Sequence, residues 1–180
     1  MSLFLCKQIT SATQSLLHQV FCKFKLIGTP IANSKVKRRN SMRRIICISH
    51  GNLAKGMTET AKMIVGDFKN IDYYCAYSKE DEDIEREINR IIEENHENEL
   101  FVISDIFGGS VNNEWMKKIN KDKNIHLIAG MNLAFVIELL VLIGDSQMKG
   151  DEAILMAMKS ATEGFIYCNQ LKMNISEDDF

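Results

Sequence analysis

Two short apolar runs end on residues capable of chemistry. Ile45-Ile46-Cys47-Ile48-Ser49 stops at His50, with Gly51 next, and Leu100-Phe101-Val102-Ile103-Ser104 stops at Asp105, in the string Asp105-Ile106-Phe107-Gly108-Gly109-Ser110. If the runs are neighbouring strands of an open parallel sheet, both ends meet at a topological switch point, where such sheets bind ligands. Imidazole titrates at about 6.5, so a neutral, nucleophilic fraction exists near neutral pH. A carboxylate on one ring nitrogen leaves the lone pair of the other exposed and stabilises positive charge that develops on attack. By itself His50 could equally be a structural histidine satisfied by backbone groups. The matched position of Asp105 moves the balance towards a nucleophilic or acid-base role.

Gly108-Gly109-Ser110 leads into a helical pattern. Free N–H groups and the positive dipole end at a helix start bind anions, two glycines let the backbone approach closely, and a serine hydroxyl can donate. Alone, such a string is more often a tight turn with a serine cap. Beside a nucleophile and a carboxylate, a transferable phosphoryl group is the economical ligand. The chain has no GxxxxGK[ST] loop and no complete dinucleotide fingerprint, so ATP and NAD chemistry have no motif to rest on. His96 and His126 read as solvated or structural, the Asp81 to Glu87 charge run as a solvated helix face, and Met156 and Met158 as core.

The elements that must position these residues alternate short β-branched runs with longer helical periodicities, the pattern of an α/β fold with a parallel sheet. Strands are expected over Ile45 to Ser49, Ile71 to Ala76, Leu100 to Ser104 and Ile125 to Ala129. The first helix carries Leu53, Met57, Ala61, Ile64 and Val65 at helical spacing and stops at Gly66. The second starts near Ser78 with an acidic first turn and runs to about Asn95, with Ile84, Ile88, Ile91 and Ile92 on one face. A third is expected over Val111 to Asn120, a fourth from Asn132 to Leu142, and a fifth over Asp151 to Glu163. Phe165-Ile166-Tyr167-Cys168 reads as a last edge or exchanged strand.

Charge divides the 180 residues unevenly. Residues 1–41 hold seven basic residues and no acid, which leaves 15 basic against 24 acidic residues, net −9, from Met42 to Phe180. An acidic body without a basic face argues against nucleic acid and anionic membranes as partners. The 41-residue basic extension is expected to be disordered or to reflect a start placed upstream of Met42, with a targeting segment as the third option. Cys6, Cys22, Cys47, Cys75 and Cys168 show no metal-ligand spacing and are expected to be reduced, in a cytoplasmic protein. No run is long enough to span a membrane.

Four strings together, Ile-Cys-Ile-Ser-His50-Gly51, Leu53-Ala54-Lys55-Gly56-Met57 through Met63-Ile64-Val65-Gly66, Asp105 to Ser110, and Ala129-Gly130-Met131-Asn132-Leu133, resemble the mannose-type enzyme IIA domain of the sugar phosphotransferase system (PTS). The resemblance runs in order from Arg44 to roughly Lys172. It places the domain at residues 42–172, between the extension 1–41 and an acidic tail, 173–180. It implies an open three-layer α/β/α sandwich with strand order 2-1-3-4 and a homodimer joined by an exchanged carboxy-terminal strand. His50 would be phosphorylated on Nε2, Asp105 would bind Nδ1, and Gly109 and Ser110 would hold the phosphoryl oxygens. The donor implied is the phosphocarrier HPr and the acceptor an enzyme IIB, with a IIC/IID membrane permease served indirectly and no metal or nucleotide cofactor. The phosphotransfer subunit of a dihydroxyacetone kinase and a regulatory module remain alternatives. One departure stands out. The family usually has proline after Gly-Gly-Ser, whereas this chain has Val111-Asn112-Asn113, which is expected to cost the loop some rigidity.

Overall fold

Four parallel strands form one sheet, in the order β2-β1-β3-β4. The computed structural model describes residues 42–78, 82–119 and 122–170. The expectations for residues 1–41, for positions 79–81 and for the acidic tail lie outside them. The elements are β1 (Arg43–His50), α1 (Leu53–Val65), β2 (Ile71–Ala76), α2 (Ile84–Glu94), β3 (Glu99–Ser104), α3 (Ser110–Ile119), β4 (Ile125–Ala129), α4 (Leu133–Leu142), α5 (Gly150–Glu163) and a short 3-10 turn, Cys168–Gln170. Among the described residues, no helix is long and apolar enough to cross a membrane.

Strand alternation divides the core into two layers. Ile45, Cys47, Phe101 and Ile103 face α1, α4 and α5, where Ala54, Ala61, Val136, Leu139, Ala153 and Ala157 close the packing. Ile46, Ile48, Leu100 and Val102 face the other way, onto Ile84, Ile88 and Ile91 of α2 and Val111 and Trp115 of α3. The two faces make the three-layer sandwich. Cys47 lies in the first layer, where burial pushes its thiol up to about 11, so it behaves as a small apolar side chain.

The helices differ from the simplest periodic reading in instructive ways. In α1 the fully buried face is Ala54, Thr58 and Ala61, while Leu53 and Ile64 are exposed, because small residues let this helix sit close on the sheet. Helix α2 begins at Ile84, later than Ser78, since the Asp83 side chain accepts from the Arg86 N–H and caps it. Asn132 caps α4 in the same way, accepting from Phe135 N–H at 3.1 Å. In α5 the core contacts come from Ala153 and Ala157, and Met156 and Met158 are exposed, against expectation. The edge strand expected within the chain is a further correction. Phe165 to Tyr167 run on from α5 without forming a strand, with Phe165 89% exposed, because among the described residues no strand edge pairs with them.

At the amino end of the strands, a polar clamp joins sheet to helices. Arg43 Nε donates to Glu99 at 2.6 Å, and its other nitrogens donate to the carbonyls of Asp145 and Met148, just before α5. His126 sits between Glu99 Oε1 at 3.1 Å and Asp151 Oδ1 at 3.3 Å and stacks on Phe101, so it is a structural histidine. His96 is exposed. Neither lies with the strand ends that carry the candidate chemistry.

Candidate active site

The β1–β3 register fixes the separation of the two strand ends. Ile48 lies across from Ser104, so His50 and Asp105 project just beyond paired positions on adjacent strands. On the other side, His50 pairs with Ala76 of β2. The chain turns from β1 into α1 at Gly51, whose φ of +54° favours glycine. Ser49 is buried beneath this turn, and its hydroxyl accepts from the Ala54 N–H at 2.7 Å, tying the first turn of α1 to the strand.

The imidazole and carboxylate meet as the sequence indicates. His50 Nδ1 lies 2.7 Å from Asp105 Oδ2, and the His50 backbone N–H donates to the same oxygen at 2.9 Å. The Ile106 N–H donates to Asp105 Oδ1 at 2.8 Å, so both carboxylate oxygens are held. Burial raises the Asp105 pKa, but the His50 ring and the two amides more than offset this, and it lies below the ordinary carboxylate range. An ionised carboxylate can only accept, so the proton on the His50–Asp105 bond belongs to Nδ1. The Nε2 of a neutral ring is then bare. The His50 side chain is 43% exposed and that of Asp105 only 12%, which leaves the ring accessible and its partner enclosed.

Opposite Asp105, the Ser110 hydroxyl lies 3.0 Å from His50 Nε2, at the first residue of α3. Gly109 allows this approach, because a Cβ there would come within 2.9 Å of Ile106 Cγ2 and 3.2 Å of His50 Cε1. The Gly109 N–H makes only a long bond, 3.4 Å, to Ile106 O. The loop lacking proline is secured by its two asparagines instead. Asn112 is buried, accepts from Gly108 N–H at 3.2 Å and donates to Ser104 Oγ at 3.0 Å. Asn113 donates to Gly108 O at 2.9 Å. His50, Asp105, Gly109 and Ser110 are thus brought together at one end of the sheet, with the imidazole between a carboxylate and the first residue of a helix.

Sequence reasoning missed two members of this neighbourhood. Tyr77 stacks on the His50 ring, with centroids 5.4 Å apart and planes 15° from parallel, and its hydroxyl donates to Ser110 Oγ at 2.7 Å. Its backbone φ is +59°, a conformation that costs a residue with a Cβ about 1–2 kcal/mol. The strand-end argument that found His50 and Asp105 applies to Tyr77 as well, since it follows the last residue of β2. Asn112 was the other, and the pair Asn112-Asn113 directly after a glycine turn is the signal that could have found it.

The comparisons with known proteins point in one direction. A family model described as the PTS system fructose IIA component (EIIA-man) matches residues 44–157. The PTS system sorbose-specific EIIA component of Lacticaseibacillus casei is 26% identical over 137 residues, 76% of this chain and 99% of that protein. A solved structure from Klebsiella pneumoniae subsp. pneumoniae, described as a phosphoenolpyruvate-dependent sugar phosphotransferase system permease, is 32% identical, with a TM-score of 0.67, over 77% of this chain and 98% of that one. The mannose/sorbose specific IIA subunit from Enterococcus faecalis shares the fold, at 21% identity and a TM-score of 0.60, over 76% of this chain and 98% of that one.

The Asp105 hydrogen bonds make a prediction about acid stability. A carboxyl held below its ordinary value of about 3.9 contributes stability above that pH, and the contribution is lost as pH falls through the folded-state pKa. Asp105→Asn should therefore flatten the acid limb of the stability curve below about pH 4, as read from urea midpoints between neutral and acid pH. Parallel acid limbs in the two proteins would show that the carboxylate is not held as described.

Proposed function

Because the chain belongs to the EIIA-man family of PTS IIA components, we propose that it is a phosphocarrier that takes a phosphoryl group from HPr onto His50 Nε2 and passes it to an enzyme IIB. The observation that carries this reading is the two-sided environment of His50. Its Nδ1 is 2.7 Å from Asp105 and its Nε2 faces Ser110 at the start of a helix. The reading places the work in the cytoplasm, upstream of a membrane sugar permease. It assigns residues 42–172 to the IIA domain, with 1–41 and 173–180 outside it.

In the transfer step, the Nε2 lone pair attacks phosphorus as the donor's P–N bond breaks, and that electron pair stays with the donor. Positive charge grows on the His50 ring, and Asp105 offsets it through the Nδ1–H bond. In this reading the Ser110 hydroxyl, 3.0 Å from Nε2, and the amides of Gly109 and Ser110 take the phosphoryl oxygens, with the α3 dipole adding to the attraction. The long Gly109 N–H bond to Ile106 O is one that a charged oxygen would readily displace. Return of the phosphoryl group to a IIB histidine is the same step reversed.

A homodimer completes the proposal. Phe165, Ile166 and Tyr167 are 89%, 56% and 63% exposed at the end of α5 and form no strand with the described residues of their own chain. Exposed apolar residues of high β propensity are suited to pairing with a second copy. The full chain is expected to sediment as a dimer and a chain cut after Gly164 as a monomer. A monomeric full chain removes the dimer, and a dimer that survives the cut removes the exchange.

The carrier role is tested by incubating the protein with phosphoenolpyruvate, enzyme I and HPr. Acid-labile, base-stable label is expected on wild type and on a chain starting at Met42, and His50→Ala should abolish it. Asp105→Asn should label orders of magnitude more slowly, because control of the tautomer is lost. An unlabelled wild type, or undiminished label on His50→Ala, contradicts the proposal.

A further inference from the structure

Tyr77 contributes both a ring and a hydroxyl to the His50 neighbourhood, and its own backbone is held in an unfavourable conformation. The φ of +59° is sustained from both sides. Before Tyr77, the Ala76 carbonyl accepts from Gly51 N–H at 3.0 Å, which ties the end of β2 to the turn after His50. After it, Ser78 donates through its hydroxyl to Cys75 O at 2.7 Å and through its N–H to Glu82 at 3.0 Å. Strain that neighbouring bonds over-determine is a mark of a functional position. Here the half-exposed Tyr77 side chain lies with its ring over the imidazole.

With a neutral ring, the hydrogen bonds at His50 run in one direction. Asp105 accepts, so Nδ1 donates to it, and a neutral ring then has an unprotonated Nε2. Only the Ser110 hydroxyl can supply a proton to the contact at 3.0 Å, and its single proton is thereby committed. Ser110 Oγ is left as an acceptor, and Tyr77 O–H donates to it at 2.7 Å. The result is one polarised series, Tyr77 to Ser110 to His50 to Asp105, in which each bond strengthens the next.

We propose that Tyr77 is a positioning residue for phosphoryl transfer at His50: its ring holds the imidazole plane, and its hydroxyl aims the Ser110 proton first at Nε2 and then at the phosphoryl group. The proposal rests on the phosphocarrier reading. No proton changes owner in the step. The Ser110 O–H leaves the Nε2 lone pair as the N–P bond forms there and turns to a phosphoryl oxygen, while Tyr77 keeps its hold on Ser110 Oγ. Without that hold the serine hydroxyl has other rotamers open to it, and the transition state loses an oriented donor.

Two substitutions separate the functions of the ring and the hydroxyl. Tyr77→Phe retains stacking and removes the donor, and Tyr77→Leu removes both. With phosphorylated HPr in single-turnover measurements, Tyr77→Phe should lower the maximal transfer rate about fivefold to tenfold, with the HPr concentration for half-maximal rate unchanged. Tyr77→Leu should lower it further. The 15N resonance of His50 Nε2 should move in Tyr77→Phe, since the bond it accepts is weakened. A double-mutant cycle identifies the route. In a Ser110→Ala background, Tyr77→Phe should have no further effect on the rate. A wild-type rate with an unmoved Nε2 resonance in Tyr77→Phe, or an equal slowing with and without Ser110, overturns the proposal. If wild type takes no label from phosphorylated HPr, the phosphocarrier reading itself fails, and that outcome is distinct from a labelled wild type with a silent Tyr77→Phe.

Discussion

The hydrogen bond between His50 Nδ1 and Asp105 Oδ2, at 2.7 Å, sets the requirements that the rest of the structure meets. It joins two residues 55 positions apart, so it exists only where β1 and β3 are adjacent, parallel and in register. The strand order β2-β1-β3-β4 supplies that adjacency, because the chain crosses to the opposite side of β1 after building β2. A switch point of this kind leaves a crevice at the carboxyl ends of the strands. The carboxylate is then fixed by two amides as well as the ring, which makes it a rigid acceptor and leaves the orientation of the imidazole little freedom.

Support for that bond comes from buried polar side chains under the loops. Ser49 holds the start of α1, while Ser104 and Asn112 hold the glycine turn from below. Each is satisfied by a partner, so its burial secures a loop without leaving an uncompensated polar group. Beneath them, apolar layers on both faces of the sheet keep the strand ends from moving independently. The site also counters the acidic character of the body. With net −9 over Met42 to Phe180, the proposed phosphoryl group would be drawn to this end by local donors and a helix dipole rather than by overall charge.

Strands were the most legible feature of the sequence. Ile71–Ala76 and Ile125–Ala129 follow their apolar runs residue for residue. β1 extends two residues earlier than its apolar run, because Arg43 and Arg44 find carboxylate partners in Glu99 and Asp72 on neighbouring strands. Helix faces were less legible. Periodicity alone favours the large residues Leu53 and Ile64, but close packing of α1 on the sheet selects Ala54, Thr58 and Ala61. The same substitution of small for large occurs in α5. At the site, His50 and Asp105 were visible because strand ends carry chemistry, and Gly109 and Ser110 because glycine before a helix is distinctive. Tyr77 also follows a strand end, but its positive φ has no sequence signature and its stacking on His50 depends on a cross-strand register. The carboxy-terminal apolar segment was recognisable as β-prone, but strand formation needs a partner edge, which the described residues of its own chain do not offer.

The proposed carrier role requires one nitrogen of one histidine to take the phosphoryl group. With Nδ1 committed to Asp105, Nε2 is the ring nitrogen left facing Ser110. The most direct measurement is 15N and 31P NMR of the protein after phosphorylation by HPr. The account predicts a single phosphohistidine, bonded through Nε2 of His50, with the Nδ1 proton retained and shifted by its bond to Asp105. A phosphoryl group on Nδ1, or on any residue other than His50, would contradict it.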